Sequence, residues 1–145
     1  MTTITAVTTV SPSAGTRLTG SRTVVRPGVL PQPGSREWVS ACPVHRLVPG
    51  RGVAVLLPGG AQAALFLLPN GMIYAVDNLD PYAGAAVISR GLTGDRHGEP
   101  TVASPLLKQV FSLRTGAALD DTDVLLPTYA VRIQDGLVRV GVPLP

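Results

Sequence analysis

Thiols, imidazoles and aromatic rings are scarce in this chain of 145 residues, which holds one cysteine, two histidines and six aromatic residues. The single cysteine, Cys42, excludes an intrachain disulfide and any metal or iron–sulfur site needing two or more thiolates. A reduced compartment is compatible with that usage. His45 and His97 leave little acid–base machinery, and neither a Gly-x-Ser-x-Gly elbow nor a phosphate-cradling glycine loop is present. A flavin or nicotinamide site on this chain is therefore not expected. No run of about 18 apolar residues exists, so no membrane span is expected, and the N-terminus lacks the basic start and apolar stretch of a secretory signal.

Charge is also sparse, at 14% of residues with a formal net charge of +3. Arg17, Arg22, Arg26 and Arg36 have no acidic counterpart in residues 1–36, which carry +4, while eight basic and nine acidic residues give −1 over 37–145. The high isoelectric point thus belongs to the N-terminal stretch. A nucleic-acid binder calls for a basic folded face with stacking aromatics; the scattered aromatics here argue against one.

What is abundant is Val, Leu and Ala, cut into short runs by 16 Gly and 14 Pro. That pattern predicts many short strands and tight turns in one domain. Residues 1–35, rich in Thr, Ser, Pro, Gly and Arg, show no apolar period and read as a disordered tail. Arginine and serine without acids also fit an N-terminal targeting segment, the rival reading. The domain is assigned to residues 36–145, with Trp38 as its first core residue.

Strands are predicted at 37–42, 52–57, 61–68 and 72–76, the last three a meander turned by Pro58-Gly59-Gly60 and Pro69-Asn70-Gly71. Residues 78–84 form a first loop, 85–92 a short helical turn, and 94–100 a polar surface hairpin. Strands at 101–103 and 109–113 flank a second loop. The clearest hairpin joins 129–133 to 137–142 through Gln134-Asp135-Gly136, with Val131, Ile133, Val138 and Val140 alternating with polar residues.

Three constellations have possible chemistry. Cys42-Pro43-Val44-His45 has the spacing of a two-ligand metal clip but lacks a second cysteine, so a buried cysteine ending a strand is the simpler reading. Asp95, His97 and Glu99 would share one side of an extended strand, yet a mononuclear iron site usually takes two histidines and a carboxylate. A solvated loop accounts for them. Asn78 and Asp80, just before Pro81, suit loop-shaping hydrogen bonds to nearby backbone; a catalytic Asp80 would need a pocket and a shifted pKa.

The wording of residues 77–116 is more specific. Asp-Asn-Leu-Asp-Pro at 77–81, Ser-Arg-Gly-Leu at 89–92, Gly-Glu-Pro at 98–100 and Ala-Ser-Pro-Leu-Leu-Lys-Gln at 103–109 are followed by Phe-Ser-Leu-Arg-Thr-Gly at 111–116. The chain resembles the small subunit of bacterial NAD(P)H-dependent nitrite reductase over about residues 36–142. The resemblance implies an all-β, Rieske-like antiparallel β-sandwich with a two-loop tip. A Rieske centre needs two thiolates and two imidazoles, whereas the corresponding positions look like Asn78, Asp80, Ser104 and Leu107. It thus implies no [2Fe-2S] cluster, no metal and no catalytic residue on this chain.

By the same resemblance, FAD, a [4Fe-4S] cluster and sirohaem reside on a large partner subunit that reduces nitrite to ammonia in the cytoplasm with six electrons. The tip would then face that subunit through Asp80, Arg90, Lys108 and Gln109. The alternative is a stand-alone Rieske-like interaction or ligand-binding module without a redox role.

Overall fold

The computed structural model describes residues 2–5, 7–8 and 36–143, with 2–5, 7–8 and 122 described as backbone only. Five strands come first: β1 (Thr2–Thr5), β2 (Val7–Thr8), β3 (Arg36–Pro43), β4 (Gly52–Leu56) and β5 (Gln62–Leu67). Next are β6 (Ile73–Asp77), β7 (Leu79–Asp80), β8 (Ala85–Ala86), β9 (Leu92–Arg96) and β10 (Glu99–Ala103). The chain continues through β11 (Val110–Ser112), β12 (Ala117–Ala118), β13 (Asp121–Leu125), β14 (Thr128–Gln134) and β15 (Leu137–Pro143). The described helical segments are three-residue 3-10 turns at Val44–Arg46, Pro58–Gly60 and Ile88–Arg90.

The large sheet has the order β1-β4-β5-β6-β14-β15-β3-β2, antiparallel throughout except for the parallel β1–β4 pair. One residue separates β1 from β2, yet they pair with strands at opposite ends of that order. The sheet must therefore curl until the free edges of β4 and β3 face each other across a gap that a short chain segment can span. This differs from the expectation of an unstructured stretch over 1–35: its residues 2–5 and 7–8 form strands. The rest of that expected tail lies outside the described residues.

A second sheet, β13-β12-β11-β10-β9, packs against the outside of the first. The strand that joins the layers is β5. Ala63, Ala64, Leu65 and Phe66 are all fully buried, and alternation divides them. Ala63 and Leu65 enter the first core with Val39, Val55, Val138 and Val140, while Ala64 and Phe66 enter the second with Val76, Ile88, Val102 and Phe111. A strand buried on both faces reads as a continuous apolar run, as residues 63–68 do.

The predicted hairpin is present: Gln134 pairs with Leu137 around Asp135 (φ 54°) and Gly136 (φ 75°), the two positive-φ residues of a type I′ turn. Ile133, expected to face inward, is 56% exposed near the hairpin's end, although Val138 opposite it is fully buried. Trp38 is likewise displaced from the core. Val39 and Ala41 point inward, and the Arg132 guanidinium lies 4.1 Å from the Trp38 ring centroid on the other face. Instead of one helical turn over 85–92, the chain makes the two-residue strand β8 and then a 3-10 turn.

Candidate functional site: two loops joined at the tip

Residues 77–90 form the first tip loop and 104–109 the second. Asp77 opens the first. Its Oδ1 accepts from Leu79 N at 2.8 Å, its Oδ2 accepts from the Tyr129 hydroxyl at 3.2 Å, and its own N–H donates to Pro127 O at 2.8 Å. The loop is thus tied to β14 before it turns. Burial first, then the Asp77 charge and hydrogen bond, push the Tyr129 phenol up to about 12.

Asn78 is buried and uses both ends of its amide. Nδ2 donates to Gln62 Oε1 at 3.0 Å and to Ala86 O at 3.4 Å, while Oδ1 accepts from Ser89 N at 2.7 Å. Its backbone donates to Gln62 O and accepts from Ile88 N. One side chain therefore closes the loop from β5 to the residues just ahead of Arg90.

Asp80 is fully buried. Oδ1 accepts from Tyr82 N at 2.8 Å and Ala83 N at 3.3 Å, and Oδ2 accepts a short hydrogen bond from Ser104 Oγ. Ser104, also fully buried, starts the second loop, where its N–H donates to Gln109 O and its carbonyl accepts from Lys108 N. The Asp80–Ser104 bond joins the two loops. The polar reading of Asp80 as a loop-shaping residue fits this geometry, but its assignment to a partner surface does not. A carboxylate with no exposed surface cannot touch a docked protein, and the expectation is corrected on that ground.

Leu107, expected at a ligand position with Asn78, Asp80 and Ser104, is 54% exposed and its side chain has no donor atom. Asn78, Asp80 and Ser104 spend their polar atoms on the protein itself. These residues do not fit a [2Fe-2S] cluster, which requires thiolate and imidazole ligands. The other candidates do not rebuild one. Cys42 sits in the first core, burial having pushed its thiol up, while His45 is exposed on the adjoining 3-10 turn. Asp95 Oδ1 accepts from Gly98 N in the β9–β10 turn, and Glu99 binds Ser112 and Arg114. Among the described residues no group of three or more His, Cys, Asp or Glu is placed to hold a metal ion.

Residues 37–141 match the family model described as a Rieske-like [2Fe-2S] domain. The NADH nitrite reductase small subunit of Salmonella typhimurium is 38% identical over 105 residues, covering 72% of this chain and 96% of that protein. The chain belongs to the nitrite reductase small-subunit family. A crystal structure of an NADH-dependent nitrite reductase small subunit from Mycobacterium tuberculosis is 48% identical, with a TM-score of 0.74, covering 76% of this chain and 98% of the other. The Klebsiella oxytoca nitrite reductase [NAD(P)H] large subunit also matches, 40% identical over 107 residues that make up 74% of this chain but 11% of that protein.

In this small-subunit relative, the tip carries exposed leucines. Leu79, Leu106 and Leu107 are 50%, 52% and 54% exposed, and Leu92, paired with Ala103 beside the second loop, is 77% exposed. The sequence reading chose the charged residues and missed these leucines. The available signal was the paired Leu106-Leu107 in a loop whose flanking strands already supplied the core. Arg90 and Lys108 are exposed and Gln109 is half-buried, so all three keep accessible surface on the tip loops.

Proposed function

We propose that this chain is the non-catalytic small subunit of a cytoplasmic NAD(P)H-dependent nitrite reductase and docks on the large subunit through its two-loop tip. The observation that carries the reading is the Klebsiella large subunit, in which a segment 40% identical to this chain is part of the large-subunit polypeptide itself. A domain that works covalently attached in one protein has a reason to assemble with the same machinery when encoded apart. FAD, a [4Fe-4S] cluster and sirohaem on the large subunit would carry six electrons from NAD(P)H to nitrite, and this chain would hold no redox centre. Among the described residues, no helix is long and apolar enough to cross a membrane.

The tip has the make-up of an interface: exposed leucines together with the polar Arg90, Lys108 and Gln109. Its loops are pre-shaped by Asn78, Asp80 and Ser104, which lowers the entropy cost of association. Binding of the cognate large subunit to Leu106→Ala/Leu107→Ala, measured by calorimetry, should weaken by about tenfold or more, as expected when apolar anchor contacts are lost. Nitrite-dependent NAD(P)H oxidation with and without this chain measures its contribution. Unchanged binding by the leucine variant would remove Leu106 and Leu107 from the interface.

A further inference from the structure

Beside the leucine surface lies a cleft of about 620 Å³ lined by Gly50, Arg51, Gly52, Ser89, Arg90 and Gly91. Its two halves come from different parts of the chain: the turn before β4 and the end of the first tip loop. They meet closely, since a Cβ added at Gly52 would lie 2.1 Å from Ser89 O. A side chain at Gly52 would force the two segments apart, so this close approach lets Arg51 and Arg90 line one cleft.

Neither guanidinium has an acidic partner among the described residues, whereas Arg96 and Arg114 are paired with Asp120 and Glu99. Among the described residues, Asp77 and Asp80 form no ion pair with either arginine. Asp80 is buried against Ser104, and Asp77 is engaged by Leu79 N and Tyr129. Two guanidiniums, each a planar fork of donors, suit oxyanions and carboxylates in particular. The lining contains no aromatic ring to stack a nucleobase and no large apolar side chain, so it does not suit a nucleotide. Its open form favours a charged group carried on another protein surface.

We propose that the Arg51–Arg90 cleft is a carboxylate-binding site that receives acidic side chains of the nitrite reductase large subunit. The proposal rests on the tip-docking reading and adds to its exposed leucines a defined chemistry, a charge-selective socket at one edge. Fixing charge pairs at that edge would set the rotational register of the docked subunit and speed its association.

The test uses the full chain and the cognate large subunit. Arg51→Ala/Arg90→Ala should keep its melting temperature, since both residues are exposed. It should weaken association by about tenfold or more and flatten the dependence on salt, because screening then has fewer pairs to act on. Arg51→Lys/Arg90→Lys, which keeps the charge but not the fork, should fall between. Citrate, titrated against the isolated chain, should shift the amide resonances of Gly50, Gly52 and Gly91 and compete with the large subunit.

Unchanged affinity in the double alanine variant, with the leucine variant impaired, would overturn the cleft and leave tip docking in place. The converse would keep the cleft and refute the leucine contacts. Citrate binding that does not compete with the large subunit would assign the cleft to free small anions and overturn the proposal.

Discussion

The hydroxyl of Ser104 donates to the buried carboxylate of Asp80, and this bond joins the two loops at the tip. Both groups are shut off from water, so neither can recover its lost partner from solvent. Ser104→Ala should cost about 1–3 kcal/mol by leaving a carboxylate oxygen short of a donor. Asp80→Ala should cost more, since Tyr82 N and Ala83 N also lose their acceptor. Asp80→Asn can still accept from those amides and donate to Ser104, so its loss should be the smallest. Denaturant titration of the three variants checks that order; equal stability of all would show that the loops are held by packing alone.

Gly52 and Gly59 offer a paired comparison. A Cβ at Gly52 would meet Ser89 O at 2.1 Å and Phe66 Cε1 at 2.7 Å, whereas one at Gly59 meets nothing within 4 Å. Gly52→Ala should destabilise the fold by about 2–4 kcal/mol through overpacking against backbone. Gly59→Ala carries only the strain of its φ of 86°, on the order of 1 kcal/mol. Thermal melts of both variants separate close approach from backbone strain.

Alkaline stability should report on Tyr129. Its hydroxyl titrates at about 12 in the folded chain against an ordinary value of 10.0, so the folded state holds the proton more tightly. Below about pH 10 both states keep that proton and the contribution is complete. Between about 10 and 12 the unfolded chain ionises first, and stability falls as pH rises. Tyr129→Phe should remove that part of the slope and cost about 1 kcal/mol at neutral pH for the hydrogen bond to Asp77. Urea midpoints measured from pH 8 to pH 12 provide the test.

Deleting residues 1–8 should leave a folded chain, because the described residues of both cores lie at or beyond Val39. It removes the strands beside β4 and β3, so amides on those two edges should exchange faster in deuterium oxide. An uncovered strand edge is also a template for pairing with other chains. Light scattering of the truncated chain should therefore show more self-association at high concentration.

Much of the fold was legible in the sequence. The β14–β15 hairpin announced itself through Asp135-Gly136, and the β4–β6 meander through its proline–glycine and asparagine–glycine turns. β9 was harder to see because its residues are mainly polar or exposed, with little apolar alternation. β12 and β13 were hidden too: two alanines and an acidic start supply little periodic signal. β1 and β2 were missed because long-range pairing, rather than a local apolar period, defines them.

The positions of Asn78, Asp80 and Ser104 were legible through the family's motif wording, but their burial was not. Sequence gives the polarity of Asp80 without revealing that Ser104, 24 residues away, donates to it.

The double burial of β5 raises a problem that its own side chains cannot solve. A one-residue slip normally turns apolar groups toward water and is penalised; in a strand apolar on both faces that penalty is weak. The alignment of β5 must be set at its ends. At one end Phe66 lies opposite Gly52, the position with room for its ring. At the other, Gln62 accepts from Asn78 through both its backbone and its side chain. Asn78 thus acts as an index mark: it tells a strand apolar on both faces where to stop.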